Sequence, residues 1–490
     1  MSTGFMRYEM KNGVEYASVY HAKREDGKKV NDVEYLGRVI DKQKGIFQSR
    51  KRGTFQYSLG NTAVEYLPST KEKLILNFGD SYFLHEMLVK LNFIDLLKRV
   101  FGATSDSLLS LIFYKTLRGG ANSFAKTWWE GSYTRILFPS VSLASQRITE
   151  ILKEIGDEKA QRYFFREYLK FISPFCGGGI LVDSTGLPND INFPLTAINN
   201  HNGVISNESR LVFVLDRKTK VPIFFRYVAG NIVDVSTLDT TITEVKAFGI
   251  DVKHAIVDAG YYSESNIRAM QRSGISFLLR MSTNRKLYNE LLVDHAVGLE
   301  DAKNLVKYRN RFVYIKRVKI DLFGSTGYAY VAEDIDRKHD EIKKYMNSTY
   351  DDMDITFAEM NAQMQYKGFF ILISSDIIET QEILPLYYTR QAIEQVFDIS
   401  KNCADLLPLR VHSVEAFRGH LLLSFIISAA YIFVDKMLKD SNVNATEAYY
   451  ILHNLMCKVY DDKIIVQEAN KKMNDIAKAV EISFPMMIST

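Results

Sequence analysis

The strongest constraint on the fold is a series of short apolar runs between Cys176 and Met281. GGGILVDSTG (177–186), SRLVFVLDRKT (209–219), VPIFFRYVAG (221–230), KHAIVDAGYY (253–262) and ISFLLRM (275–281) are rich in Val, Ile and Phe and read as strands. Two stretches of helical character alternate with the later runs. They are TLDTTITEVKAFGI (237–250), capped by Gly249, and SESNIRAMQRSG (263–274). Strands followed by strand–helix–strand alternation predict an α/β fold, with a mixed sheet flanked by helices.

The rest of the 490-residue chain is organised around that series, and its length predicts more than one domain. Residues 1–60 read as a basic β-hairpin arm, with EYASVYHAK and VNDVEYLGRVI as strands and Asp26-Gly27 in the turn. Residues 61–175 read as a helical domain, because apolar residues recur there at three- and four-residue spacing; its place before the core makes it a candidate DNA-binding region, though helical bundles have many uses. Trp128 and Trp129 are expected to pack within it. A first core segment, 176–281, is followed by an insertion at 282–366 that mixes a charged helical stretch with aromatic strands. GFFILISS then resumes a buried strand and opens a second core segment, 367–438, with a C-terminal helical region at 439–490. The most apolar run, Leu421–Val434, falls short of the roughly 20 residues that span a bilayer. It reads as a helix buried against the sheet, and no membrane partner is expected.

Residues 1–60 carry twelve Lys and Arg against seven Asp and Glu, an excess that covers the whole +4 of the chain. A basic arm on a nearly neutral body suits a polyanion, since Lys and Arg displace counterions from phosphate. A solvated basic hairpin accounts for the same charges equally well. Within the arm, Arg50, Lys51 and Arg52 form the densest cluster. Three isolated cysteines argue against a disulfide framework or a Cys zinc site, and the nine histidines show no paired ligand spacing. The N-terminus shows no apolar signal region, so a cytoplasmic location is expected.

Two acids close apolar runs in matching contexts: Asp183 after GGGILV and Asp258 after HAIV. The carboxyl ends of strands are where open α/β sheets place ligands and catalytic groups. A carboxylate buried there needs a cation or several donors, so the pair suggests a divalent metal site. Either acid alone also reads as a turn or helix cap. A third acid lies in LPLYYTRQAIEQVFDISKN (384–402). On one continuous helix, Tyr387, Arg390, Glu394 and Lys401 fall within an arc of about 60°. Such a face is suited to a metal at its centre and phosphate oxygens around it. By spacing alone, an exposed face with an intrahelical Arg390–Glu394 ion pair is the plainer reading.

The spacing Y-x2-R-x3-E-x6-K formed by Tyr387, Arg390, Glu394 and Lys401 resembles the signature of bacterial insertion-sequence transposases of the DDE class. More narrowly, it is similar to that of the insertion-sequence-four family. Asp183-Ser184-Thr185 resembles the surroundings of that family's first acid, and Asp258-Ala259-Gly260-Tyr261 those of its second. Gly230-Asn231, Asp234 and Thr237 are similar to its G-N-x-x-D-x-x-T stretch. One departure is Gln391, where many relatives have Trp.

The resemblance implies an RNase H-like catalytic core, a mixed five-stranded sheet with helices, interrupted by a strand-rich insertion. It implies that Asp183, Asp258 and Glu394 bind two Mg²⁺ (or Mn²⁺). It further implies phosphate contacts from Tyr387, Arg390 and Lys401, with Arg280 a further candidate. The implied activity is that of a nucleoid-associated DNA transposase acting as a homodimer in a synaptic complex. It would bind the terminal inverted repeats, cleave there, and join the freed 3′-hydroxyls to target DNA. Tyr308, Phe312, Tyr314 and Tyr330 of the insertion are suited either to packing its core or to stacking on an unpaired base. A nuclease with the same core but no joining activity, or a catalytically silent DNA-binding descendant, would share much of this pattern.

Overall fold

The structure is a computed structural model. It describes residues 4–11, 13–25, 28–43, 45–49, 53–59, 65–66, 74–189, 196–201, 204–230, 237–349, 356–404, 406–407, 409, 411 and 413–489. The chain forms two compact units, one from 1–79, 453–471 and 483–490, the other from 80–452 and 472–482.

The first unit begins with a sheet of six strands in chain order: β1 (Gly4–Lys11), β2 (Val14–Glu25), β3 (Lys28–Asp41), β4 (Ile46–Ser49), β5 (Gly53–Gln56) and β6 (Glu65–Tyr66). The two strands expected from the sequence are β2 and β3, which lie within this wider antiparallel sheet. Ala17, Val19, Leu36, Phe47, Phe55 and Tyr57 bury its core. Alternation puts Ala17 and Val19 on one face, as a half-buried strand requires. At Gly37 (φ +98°) a Cβ would lie 2.1 Å from the Gln48 carbonyl oxygen of β4, so only glycine fits there, beside the bulge of β3 against β2. The Asp26-Gly27 turn and the Arg50, Lys51 and Arg52 cluster lie outside the described residues. Strand β7 (Leu74–Asn77) takes its partners from the far end of the chain.

The second unit opens with helices, among them Ser105–Leu117, Ser145–Ile155 and Glu158–Ile172; the last two are amphipathic as the periodicity predicts, whereas every residue from Leu108 to Lys115 of the first is buried. Trp128 is half-buried against Tyr114, and the Arg135 guanidinium lies over Trp129. The unit's sheet is mixed and contains β8 (Gly179–Pro188), β9 (Ala197–His201), β10 (Val204–Asp216), β11 (Pro222–Ala229), β12 (His254–Val257), β13 (Ser276–Arg280), β14 (Leu305–Tyr308), β15 (Arg311–Asp321), β16 (Thr326–Asp334) and β17 (Phe369–Ser374). Their order is β11-β10-β8-β12-β13-β17-β16-β15-β14, with β9 on β10. The pairs β8–β12 and β12–β13 are parallel and the others antiparallel.

This sheet is wider than the five strands expected. The stretch at 282–366 lies in the chain between β13 and β17, which pair directly, and adds β14, β15 and β16 to the same sheet with β17 as the join. All six residues of β17 are buried, and an interior strand must satisfy backbone groups along both edges. It does so with β13 on one side and β16 on the other.

The apolar run of the second core segment becomes the helix Val414–Met437. Among the described residues it is the one helix long and apolar enough to cross a membrane, and its most apolar stretch is 83% buried inside the protein. Phe425 packs edge-on or tilted against Phe164, Phe165, Tyr168, Phe213 and Phe225, tying the long helix to the helical region and the sheet. The long helix also meets the helix Ser145–Ile155 backbone to backbone. A Cβ on Gly419 would lie 1.8 Å from the Leu152 carbonyl oxygen, and one on Gly156 would lie 1.8 Å from that of Glu415. Gly419→Ala must therefore spread the two helices, and a loss of about 1–3 kcal/mol is expected for such overpacking. An unchanged denaturation midpoint would contradict that close approach.

The C-terminal region, expected to be helical, mixes classes. Two helices, Ala445–Leu452 and Lys471–Ala479, alternate with β18 (Met456–Val459), β19 (Lys463–Val466) and β20 (Met487–Ser489). These strands complete an antiparallel sheet of the first unit in the order β20-β19-β18-β7. Such short strands show little period of their own, and their partner β7 lies nearly the whole chain away.

Candidate active site

Adjacent parallel strands bring the first two acids together. The last parallel pair is Val182 with Val257, so Asp183 and Asp258 follow it side by side and point to the same face. Asp258 ends its strand as expected and leads into a turn, Ala259–Tyr261. Asp183 does not end its own. Strand β8 runs on to Pro188, paired beyond this point, among the described residues, only with β10. The acid thus sits where one neighbour stops and the other continues, a gap that no apolar run marks in the sequence.

The helix Gln391–Asp398 carries the third acid across that face. Asp183 opposes Phe213 of β10 in register, and directly opposed residues share a face. Phe397 stacks on Phe213, centroids 5.4 Å apart and 21° between planes, while Ile393 and Val396 are buried beside it. Packing that edge down turns Arg390 and Glu394 toward the two aspartates. The single helix expected over 384–402 is segmented instead: Thr380–Tyr387 is α-helical, Tyr388–Arg390 a 3₁₀ turn, Gln391–Asp398 α-helical and Ile399–Cys403 a π turn. A 3₁₀ turn winds tighter than an α-helix and a π turn wider, so their departures in phase offset. The signature residues therefore still face one site.

Arg390 occupies its centre. The guanidinium donates to Asp183 Oδ2, lies 3.5 Å from Asp258 Oδ1 and reaches Glu394 Oε1 at 3.9 Å. The intrahelical pair suggested by spacing is thus present, but it is the longest of the three contacts. Asp183 and Arg390 are nearly buried, Asp258 is more open, and the Glu394 side chain is 58% exposed. Burial opposes the charge on Arg390, but the carboxylates of Asp183 and Asp258 outweigh it and hold its pKa above the ordinary value. The Asp183 Oδ1 oxygen accepts the Ser184 backbone N–H at 2.9 Å.

The other sequence candidates surround this centre. The Tyr387 hydroxyl donates to Asp258 Oδ1 at 3.3 Å. Burial, reinforced by the Asp258 carboxylate, pushes that phenol well above its ordinary range and keeps it a donor. Lys401 donates to Thr185 Oγ1 at 2.7 Å, and burial lowers its pKa. Arg280, at the end of β13, lies over the Phe370 ring, and its charge opposes the upward shift of Tyr387. Arg210, inside an apolar run, gives no signal in the sequence. It donates to Ser184 Oγ at 2.7 Å, and its alternation with Val212 and Phe213 places it on the reverse face of β10.

The insertion aromatics differ in exposure. Tyr308 and Tyr330 are buried, Tyr314 is half-buried and Phe312 is exposed. Tyr308 stacks on Tyr388 with centroids 5.1 Å apart, next to the tyrosine that touches Asp258. Of the G-N-x-x-D-x-x-T stretch, Gly230 and Thr237 are buried, and Asn231 and Asp234 lie outside the described residues.

Among the described residues, no three His, Cys, Asp or Glu side chains are placed to hold a metal ion as they stand. The Arg390 guanidinium stands as a cation among three carboxylates. With Arg390 withdrawn, Asp183, Asp258 and Glu394 offer only oxygen donors, which suit a hard divalent ion such as Mg²⁺. The donor set fits such an ion.

A family model described as the transposase DDE domain matches residues 174–429. No curated protein matches the sequence. Among solved structures, a cryo-EM structure of a piggyBac transposase synaptic complex with hairpin DNA is similar to this chain at 12% identity and a TM-score of 0.40. That match covers 76% of this chain and 77% of the other.

Proposed function

The chain belongs to the DDE-domain transposases, a family of enzymes, and from that premise we propose that it is a cut-and-paste transposase of the insertion-sequence-four family. In this reading its double-stranded DNA substrates are the terminal inverted repeats and a target, and it acts as a dimer that pairs two ends. The order β11-β10-β8-β12-β13, with its parallel central pairs, supports an RNase H-like core widened by the strands of 282–366. One observation carries the catalytic reading. Three acids converge on a single nearly buried guanidinium.

Asp183, Asp258 and Glu394 would hold two divalent cations, Mg²⁺ or Mn²⁺. Bound there, the cations would supply Lewis acidity for the attacking and leaving oxygens of a phosphodiester. The chain's own residues supply positioning. Tyr387 fixes Asp258 by donating to it, and the Ser184 N–H fixes Asp183. Lys401, held on the Asp183 strand through Thr185, provides a point charge for a phosphate. Arg390 has the planar fork to grip a phosphate in two places, and Arg280 adds positive charge beside Tyr387. Arg50, Lys51 and Arg52 contribute DNA affinity without sequence preference.

The test is incubation of the full chain with a duplex carrying the inverted repeats that flank its gene. With Mg²⁺, cleavage at the repeat end and joining of the 3′-hydroxyl to target DNA are expected, and EDTA should abolish both. Cutting without any joining would instead make the chain a nuclease on the same core. No cleavage by folded protein would refute the reading.

A further inference from the structure

Arg390 holds the position that a cation bound by the three acids would need. Both carboxylate oxygens of Asp183 are already engaged, Oδ2 by Arg390 and Oδ1 by the Ser184 N–H. The same guanidinium lies against Asp258 and Glu394. Without a cation, carboxylates this close repel one another in a partly buried site. A planar guanidinium can relieve that repulsion by meeting several carboxylates at once. While its fork lies between them, it fills the space a shared metal would take, and its charge repels a divalent cation.

We infer that Arg390 is the internal counter-ion of the metal-free site, and that a divalent cation binds only as Arg390 leaves the carboxylates. Metal binding and the release of Arg390 toward a DNA phosphate are then one coupled event. A site without metal keeps its phosphate-gripping arginine on the carboxylates, which ties DNA engagement to metal loading. The side chain alone has to swing, because Arg390 ends the short turn Tyr388–Arg390, whose following helix is anchored by Phe397 on Phe213. This inference rests on the metal role proposed for the three acids.

The experiment measures Mn²⁺ binding to the full chain without DNA, by titration calorimetry and by the paramagnetic resonance of free Mn²⁺. If the state with Arg390 withdrawn is a minor one, Arg390→Gln should bind Mn²⁺ about tenfold more tightly than wild type, the factor by which an occluded state weakens apparent affinity. Arg390→Lys keeps the charge but loses the fork, so it should fall between the two. In thermal melts, the metal-free glutamine variant should melt below wild type and gain more from added Mn²⁺. Equal or weaker Mn²⁺ binding by Arg390→Gln overturns the inference. So does a lysine variant indistinguishable from wild type, because charge alone would then explain the effect. Absence of Mn²⁺ binding by all three proteins overturns the metal reading of the acids itself. Should the glutamine variant fail to fold, the comparison of lysine variant with wild type decides the matter.

Discussion

Asp183→Asn, Asp258→Asn and Glu394→Gln are each expected to lower metal-dependent strand cleavage by about 10³-fold or more, the rate equivalent of about 4 kcal/mol. DNA binding should remain near wild type, because phosphate affinity comes from cations spread over the protein and not from these acids. Near-wild-type cleavage by any one of the three would remove that acid from the site. The variants should separate in stability. Asp183 is nearly buried and bonds Arg390, so its amide leaves a partly unpaired guanidinium and should cost about 2 kcal/mol. The Glu394 side chain is 58% exposed and 3.9 Å from Arg390, so its amide should change stability little. Equal loss of activity with unequal loss of stability distinguishes a shared chemical role from a shared structural one.

Phe425→Ala should destabilise the protein more than any of these substitutions, by about 3–5 kcal/mol. The ring is fully buried and lies 5.4 Å from Phe165 and from Tyr168, 5.5 Å from Phe225 and 6.1 Å from Phe213, centroid to centroid. Removing it opens a cavity where the long helix, the helical region and the sheet meet. Phe213 also carries Phe397, and through it the helix of Glu394. The variant should therefore lose cleavage as well as stability, though it touches none of the acids. A small shift in the urea midpoint, with cleavage retained, would show that the long helix is not what seats the Glu394 helix.

The acids and the signature helix are legible in the sequence because their information is local. Asp183 and Asp258 each close an apolar run, and Tyr387, Arg390, Glu394 and Lys401 repeat with a helical period. That phase survives a 3₁₀ turn and a π turn, neither of which spacing reveals. Arg210 is not legible in the same way, because one basic residue in SRLVFV has no local meaning until its strand is paired with β8. The basic cluster at Arg50, Lys51 and Arg52 lies outside the described residues, and its role rests on charge alone.

The apolar runs of 176–281 are enough to require a mixed α/β sheet, since period and composition decide which segments become strands and which face each one buries. They are not enough to say how far the sheet extends or which strands are neighbours. Strands pair through backbone groups that are the same in every residue, so packing at long range chooses the partner. That is why β17 joins β13 to β16, why β7 pairs with β18, and why Asp183 lies within a strand instead of at its end. For the same reason, Arg390 reads in the sequence as a partner of Glu394 one helical turn away, while its bond to Asp183 exists only once the helix is laid across the sheet.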